Sequence, residues 1–209
     1  MVLIEGDPGS LGEVRGVMRA SQDPRATRTR QAIFDAVEVL DARTGTAVTV
    51  SAIVRAAGIS RGSFYTHFAD IDELAVTLLG YAFDEIGRED LARRQQVGVT
   101  GAEVARAALG HLVFHLHDHR SLYVAIFGLP ATSQAFFQAV ELCAFHMRQT
   151  FALLPNIPPL LDTEATATYV AGGTLTILST WLRSREPSPP GDVVDLLFGL
   201  LPPWLAEPE

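Results

Sequence analysis

Apolar residues recur at helical spacing along most of this chain. Ile33, Ala36, Val37 and Leu40 fall on one stripe of a helix beginning near Thr27, because positions three and four apart share a face at 3.6 residues per turn. Gly45 follows as a stop signal. Thr49 is placed to cap a short helix over 50–57, with Ile53, Val54 and Ala57 inward. Gly58 ends that helix, and Ser60 can cap a second one over 61–68. Asp70 then opens a long amphipathic helix through Leu74, Leu78, Tyr81, Phe83 and Ile86. Further helices are predicted near 102–118, 121–128, 133–154, 163–184 and 191–200, with Gly- and Pro-containing breaks at 98–101, 128–130, 155–159 and 187–191. The β-branched run 171–180 lies within a long periodic segment and is read as buried helix, not strand. The expected fold class is all-α. Residues 1–23, interrupted by Gly6, Pro8, Gly9, Gly12 and Gly16, read as a flexible extension.

Charge changes the picture once it is located. The formal net charge is −8, which by itself disfavours a nucleic-acid partner. Residues 24–68, however, hold Arg25, Arg28, Arg30, Arg43, Arg55 and Arg61 against Asp35, Glu38 and Asp41, a net of +3. Residues 69–209 hold 8 basic and 17 acidic groups, a net of −9. A mildly basic segment on an acidic body fits a local DNA-binding surface. The chain contains no lysine, so phosphate contacts must come from arginine, histidine, hydroxyls, backbone N–H groups or helix N-termini. A single cysteine, Cys143, rules out an intrachain disulfide and suits a reducing compartment. The N-terminal residues lack the pattern of a secretion signal, and no apolar run approaches bilayer length. A cytoplasmic location is expected.

The informative stretch is 49–68, Thr-Val-Ser-Ala-Ile-Val-Arg-Ala-Ala-Gly-Ile-Ser-Arg-Gly-Ser-Phe-Tyr-Thr-His-Phe. Two short helices meet at Gly58, and the second carries Arg61, Ser63, Tyr65, Thr66 and His67 interleaved with core-type Phe64 and Phe68. Such a helix-turn-helix can set its second helix in the major groove with its N-terminal residues at base edges. The segment resembles the DNA-binding domain of the TetR family of regulators, through Thr49-Val50, Ile53-Val54, Ala57-Gly58-Ile59-Ser60, Gly62-Ser63-Phe64-Tyr65, His67-Phe68 and a following Leu74. The resemblance covers residues 30–80. It implies a helix-turn-helix domain over 24–70, followed by a helical ligand-binding and dimerisation domain over 71–209. It also implies that Thr49, Ser63, Tyr65 and His67 contact phosphates or cap helices, that Arg61 and Thr66 lie near bases, and that Gly62 permits close approach to DNA. Arg28 and Ser60 complete the expected DNA-binding set. Ile71 stands where the family usually has a phosphate-reaching lysine, and the link from Gly45 to Thr49 is about one residue short.

The resemblance further implies a homodimer on a double-stranded DNA operator, regulated by an apolar or amphipathic small molecule. No cofactor or metal is expected. Phe114, Phe127 and Phe145 are the candidate effector contacts among the aromatics of the middle helices. Ala171, Gly172, Gly173 and Thr174, with Trp181, Leu182, Leu196, Leu197 and Phe198 as anchors, are the expected dimer contacts. The competing reading is a helical-bundle metal or small-molecule enzyme. Its basis is His111, His115 and His119 at i, i+4 spacing, which can chelate a metal; the bland alternative is a helix end with partly exposed histidines. A third reading, a helical interaction module without DNA binding, rests on Ile71 and the acidic balance.

Overall fold

The computed structural model describes residues 24–41, 48–127, 133–154 and 157–206. The extension over 1–23, the Gly45 stop and the break at 128–130 lie outside the described residues. The described residues form helices α1 (Pro24–Asp41), α2 (Val50–Ala56), α3 (Arg61–His67), α4 (Ile71–Arg94), α5 (Gly101–Asp118), α6 (Arg120–Phe127), α7 (Gln134–Phe151), α8 (Thr163–Arg183), α9 (Pro190–Gly199) and α10 (Pro203–Ala206). Among them no strand occurs.

Local chemistry sets most helix starts. The side chains of Thr49, Ser60, Asp70, Thr100, Ser133 and Asp162 each accept a backbone N–H of the first turn that follows, satisfying a donor that has no partner inside the helix. At Thr100 the cap is reciprocal, because Glu103 accepts the Thr100 N–H. Helix α1 starts three residues before the predicted Thr27, at Pro24; the fixed φ and missing N–H of proline cost nothing in a first turn.

Helices α1 to α3 close on Ile33, Val37, Leu40, Ile53, Phe64 and Phe68, all buried. The stripe read from the sequence is therefore the floor of this small core. Leu74 of α4 is fully buried in the same continuous cluster. Phe34 of α1 bridges the two elements, packing on Phe68 at 6.1 Å and edge-on to Tyr81 of α4 at 5.6 Å. Beyond Tyr81, α4 packs against α5 and α7, α7 against α8, and α9 and α10 against α5. Arg106 ties α5 to α9 by an ion pair with Asp195, and its guanidinium lies 4.4 Å from the Phe198 ring centre.

The expected dimer anchors divide. Trp181, Leu182 and Leu197 are buried within the chain itself, and the Trp181 indole N–H donates to the Ser188 carbonyl at 2.9 Å. They fill the core of one subunit and so are not surface anchors. The large apolar groups that α8 and α9 leave outside are Tyr169, 79% exposed, and Leu196, with Leu200 just beyond α9.

Candidate functional site

Helix α3 is short because its ends are specified. Ser60 caps its start, accepting the Ser63 N–H at 3.0 Å, and Phe68 leaves it in extended backbone. Gly58 holds the turn before it at φ +66°, a conformation that costs a residue with a Cβ about 1–2 kcal/mol. On the inner side, Phe64 and Phe68 are sealed with ring centres 5.8 Å apart. On the outer side, Arg61, Tyr65 and Thr66 are exposed. Tyr65 is 54% exposed, its ring standing edge-on to Phe64 at 5.5 Å. Buried phenylalanines thus fix the helix while the polar groups between them face solvent.

The side chains on this face have different freedoms. Arg61 donates to the Ser51 hydroxyl at the start of α2, which steadies the side chain and leaves its other N–H donors for a further partner. Thr66 donates its hydroxyl to the Gly62 carbonyl at 2.9 Å. The side-chain oxygens of Thr49 and Ser60 serve their caps. Burial, and then the nearby positive charge of Arg30, hold His67 below the usual histidine range, so it is a neutral hydrogen-bonding group near pH 7. Arg25, Arg28 and Arg55 are exposed. Arg30 lies over the Phe68 ring at 5.5 Å and donates to the Tyr81 hydroxyl at 3.5 Å. A Cβ added at Gly62 would have the Ser60 hydroxyl oxygen at 3.7 Å as its nearest neighbour. Among the described residues nothing requires glycine there, although glycine weakens a helix by roughly 0.5–1 kcal/mol relative to alanine. Ile71 packs against the core, replacing a possible phosphate contact with apolar burial.

A second feature lies in the helical body. A cavity of about 120 Å³ opens between α4, α5, α7, α8 and the C-terminal segment, walled by Phe83, Ile86, Gly87, Ala105, Ala108, Leu109, Leu112, Cys143, Met147, Phe151, Val170, Leu201 and Leu205. Its polar lining is Asp90, Arg94, His146, Thr150 and Thr174. Arg94 grips Asp90 with two hydrogen bonds, Nε to Oδ2 at 2.6 Å and Nη2 to Oδ1 at 3.1 Å, and the two side chains are 16% and 8% exposed. Burial lowers the His146 pKa against the opposing pull of Asp84, and burial pushes the Cys143 thiol up to about 12. The thiol is therefore unreactive.

The three phenylalanines named from the sequence are not in this lining. Phe114 is 50% exposed on α5. Phe127 is sealed between Tyr123 and Phe136, and its carbonyl accepts the Ser179 hydroxyl. Phe145 stands against His146 on the side of the Arg148 guanidinium. The missed residues, Asp90 and Arg94, carried one available signal: a carboxylate four residues before an arginine. That spacing usually marks a solvated helix face.

Two of the three histidines lie together, the His115 and His119 ring centres 4.8 Å apart, while His111 turns toward α4. His111 faces Glu89 at 3.4 Å and Glu85 at 4.0 Å on α4. His115 meets the Tyr123 hydroxyl at 2.7 Å. Burial, reinforced by His119 and His111, lowers the His115 pKa to about 4. Among the described residues no group of three or more His, Cys, Asp or Glu side chains is placed to hold a metal ion. Among the described residues His111 and His115 thus have no third ligand with which to form a metal site. Among the described residues no helix is long and apolar enough to cross a membrane.

Residues 33–78 match the family described as bacterial regulatory proteins, tetR family. No curated protein matches the sequence. Three solved structures with similar folds are TetR-family or FadR regulators. The FadR repressor of Thermus thermophilus, in complex with lauroyl-CoA, is 17% identical over 82% of this chain and 92% of its own, with a TM-score of 0.61. The TetR family repressor AlkX of Dietzia sp. strain DQ12-45-1b, implicated in biodegradation of n-alkanes, is 17% identical over 83% and 96%, with a TM-score of 0.54. FadR of Bacillus subtilis, in complex with stearoyl-CoA, is 16% identical over 81% and 96%, with a TM-score of 0.53. At these identities the likeness establishes the shared fold. The family match thus lies over the helix-turn-helix, residues 33–78, and the all-α fold behind it is shared with these regulators.

Proposed function

We propose that this regulator is a cytoplasmic repressor that binds a palindromic operator as a homodimer and is released or tuned by a small hydrophobic effector. Residues 24–70 act as the DNA-binding domain and 71–209 as the ligand-binding and dimerisation domain. The observation that carries the reading is α3, whose Arg61, Tyr65 and Thr66 face solvent while Phe64 and Phe68 hold it rigid from behind. Arg61 reads a base edge from the start of α3. Thr66 lies near the bases, and Gly62 lets the DNA backbone approach. Tyr65 and His67 contact phosphates, as do Ser63 and the capped helix starts at Thr49 and Ser60, with Arg28 on α1 adding charge.

Helix α4 couples the two ends. Its 24 residues span about 36 Å, with Leu74 in the helix-turn-helix core and Phe83, Ile86, Asp90 and Arg94 at the cavity. An effector that binds better to one α4 position shifts the population between two spacings of the recognition helices. Operator and effector then oppose each other reciprocally. Two of the similar structures were solved with acyl-CoA ligands, which supports an apolar effector here. The dimer forms through the outer faces of α8 and α9, where Tyr169 and Leu196 are exposed.

The test is titration of DNA from upstream of the protein's own coding region at several salt concentrations. Specific binding with a steep salt dependence is expected, and Arg28→Ala flattens the slope by about 1 per subunit. Sequence-independent binding, or none, overturns the reading. Sedimentation of a Tyr169→Arg/Leu196→Arg variant checks the dimer face: monomers are expected.

A further inference from the structure

The cavity restricts both the size and the charge of what it holds. Its volume of about 120 Å³ is of the order of an engineered apolar cavity of about 150 Å³ that accepts benzene, and it opens at one side, so a single ring fits with small substituents toward the mouth. Its walls at Phe83, Ile86, Leu109 and Leu112 are apolar, and among the described residues Arg94 is the one guanidinium in the lining. That guanidinium is already held by Asp90. We infer that the effector is a compact, uncharged, ring-sized molecule bearing a hydroxyl held by Asp90 and Arg94, and not a long acyl chain on a polyanionic carrier. The inference rests on this cavity being the effector site proposed above.

A ligand anion placed beside Arg94 also meets the Asp90 carboxylate, and the surrounding residues 69–209 carry a net charge of −9. A polyanion needs several cations, and among the described residues this lining offers Arg94 alone, already paired. A neutral hydroxyl fits the pair as it stands. It donates to the Asp90 carboxylate and accepts an N–H from Arg94, which has five such donors and spends two on Asp90.

Calorimetry on the full chain at neutral pH tests this with four probes: p-cresol, toluene, benzoate and lauroyl-CoA. We expect p-cresol to bind about ten- to hundred-fold more tightly than toluene, the difference made by hydrogen bonds to charged groups. Benzoate should be at least about tenfold weaker than p-cresol, and lauroyl-CoA should not compete. The double variant Asp90→Leu/Arg94→Leu removes both charges together, so neither is left buried alone; it should erase the preference for p-cresol while toluene still binds. Ala108→Phe fills the cavity while leaving both members of the pair in the sequence and should abolish binding of p-cresol and toluene alike. Failure of p-cresol to bind overturns the inference, as does tighter binding of benzoate or lauroyl-CoA, or a p-cresol preference that survives loss of the pair. Operator titration without ligand keeps the two readings apart: if lauroyl-CoA releases DNA and p-cresol does not, the regulator stands and the ring-sized effector falls.

Discussion

Helix α3 and the body cavity use the same materials in opposite arrangements. In α3 a sealed aromatic floor, Phe64 and Phe68, pushes Arg61, Tyr65 and Thr66 into solvent. In the body, apolar side chains from four long helices surround a void and turn the Asp90–Arg94 pair inward. A surface that must meet a rigid partner needs exposed donors on a fixed support. A site for a small molecule needs walls that exclude water, with few polar groups in fixed places. The outer face of α3 is therefore open to substitution without harm to folding, whereas changes at the cavity act on packing and ligand together.

The largest expected effect separates the two regions by breaking one. Phe64→Ala should cost about 3–5 kcal/mol and abolish operator binding. Amide exchange is the measurement: residues 24–68 should lose protection while α5, α7 and α8 keep it. Simultaneous loss throughout would mean that the two regions melt as one unit.

Acid should strike the body. His115 has its pKa lowered to about 4 in the folded chain, from an ordinary 6.5, by burial and then by His119 and His111. Between those values the unfolded chain binds a proton that the folded chain refuses. The stability contributed by neutral His115 is thus complete above pH 6.5 and declines as pH falls toward 4, by up to about 3 kcal/mol. Urea melts across this window should show a smaller acid loss in His115→Gln. An unchanged pH dependence would contradict the burial of this ring.

On the DNA face, Arg61→Ala should relax specificity at one position per half-site, by about 1–3 kcal/mol of base discrimination. It also removes the Ser51 tether, so nonspecific affinity should change far less. Tyr65→Phe should lower affinity for all sequences alike and leave the salt slope unaltered, because a neutral hydroxyl releases no counterion. Parallel titrations of wild type and both variants, on matched and mismatched operators, check this. Wild-type behaviour in both would remove α3 from the interface.

The smallest effect is the sharpest for the comparison. Gly62 meets no internal obstacle to a side chain, so Gly62→Ala should raise stability by about 0.5–1 kcal/mol while weakening operator binding. A variant that is both more stable and equally good at binding DNA would show that close approach at Gly62 is not needed.

The helix-turn-helix was legible because its determinants are local. Thr49, Ser60 and Asp70 cap helices within three residues of themselves, Gly58 turns the chain by its own φ, and Ile33, Val37 and Leu40 share a face by periodicity alone. The helices of the body were legible for the same reason, and α8 through its β-branched run proved helical. Trp181 was misplaced because periodicity shows that a side chain is apolar and on which face it lies. It does not show whether that face meets its own chain or another copy. Phe114, Phe127 and Phe145 illustrate the same limit: aromatic content was visible, but the void formed elsewhere.

By itself, then, the sequence determined the all-α class, the capped helices and the face of α3 that carries Arg61 and Tyr65, since each depends on residues within a turn or two. Tertiary structure alone decided the cavity, the inward turn of Asp90 and Arg94, and the neutral state of His115. Those depend on which helices pack together, bringing residues as distant as Phe83, Leu112, Cys143 and Leu205 around one space. No short-range pattern encodes a gap between four helices; it is what remains when their apolar faces have closed as far as their shapes allow.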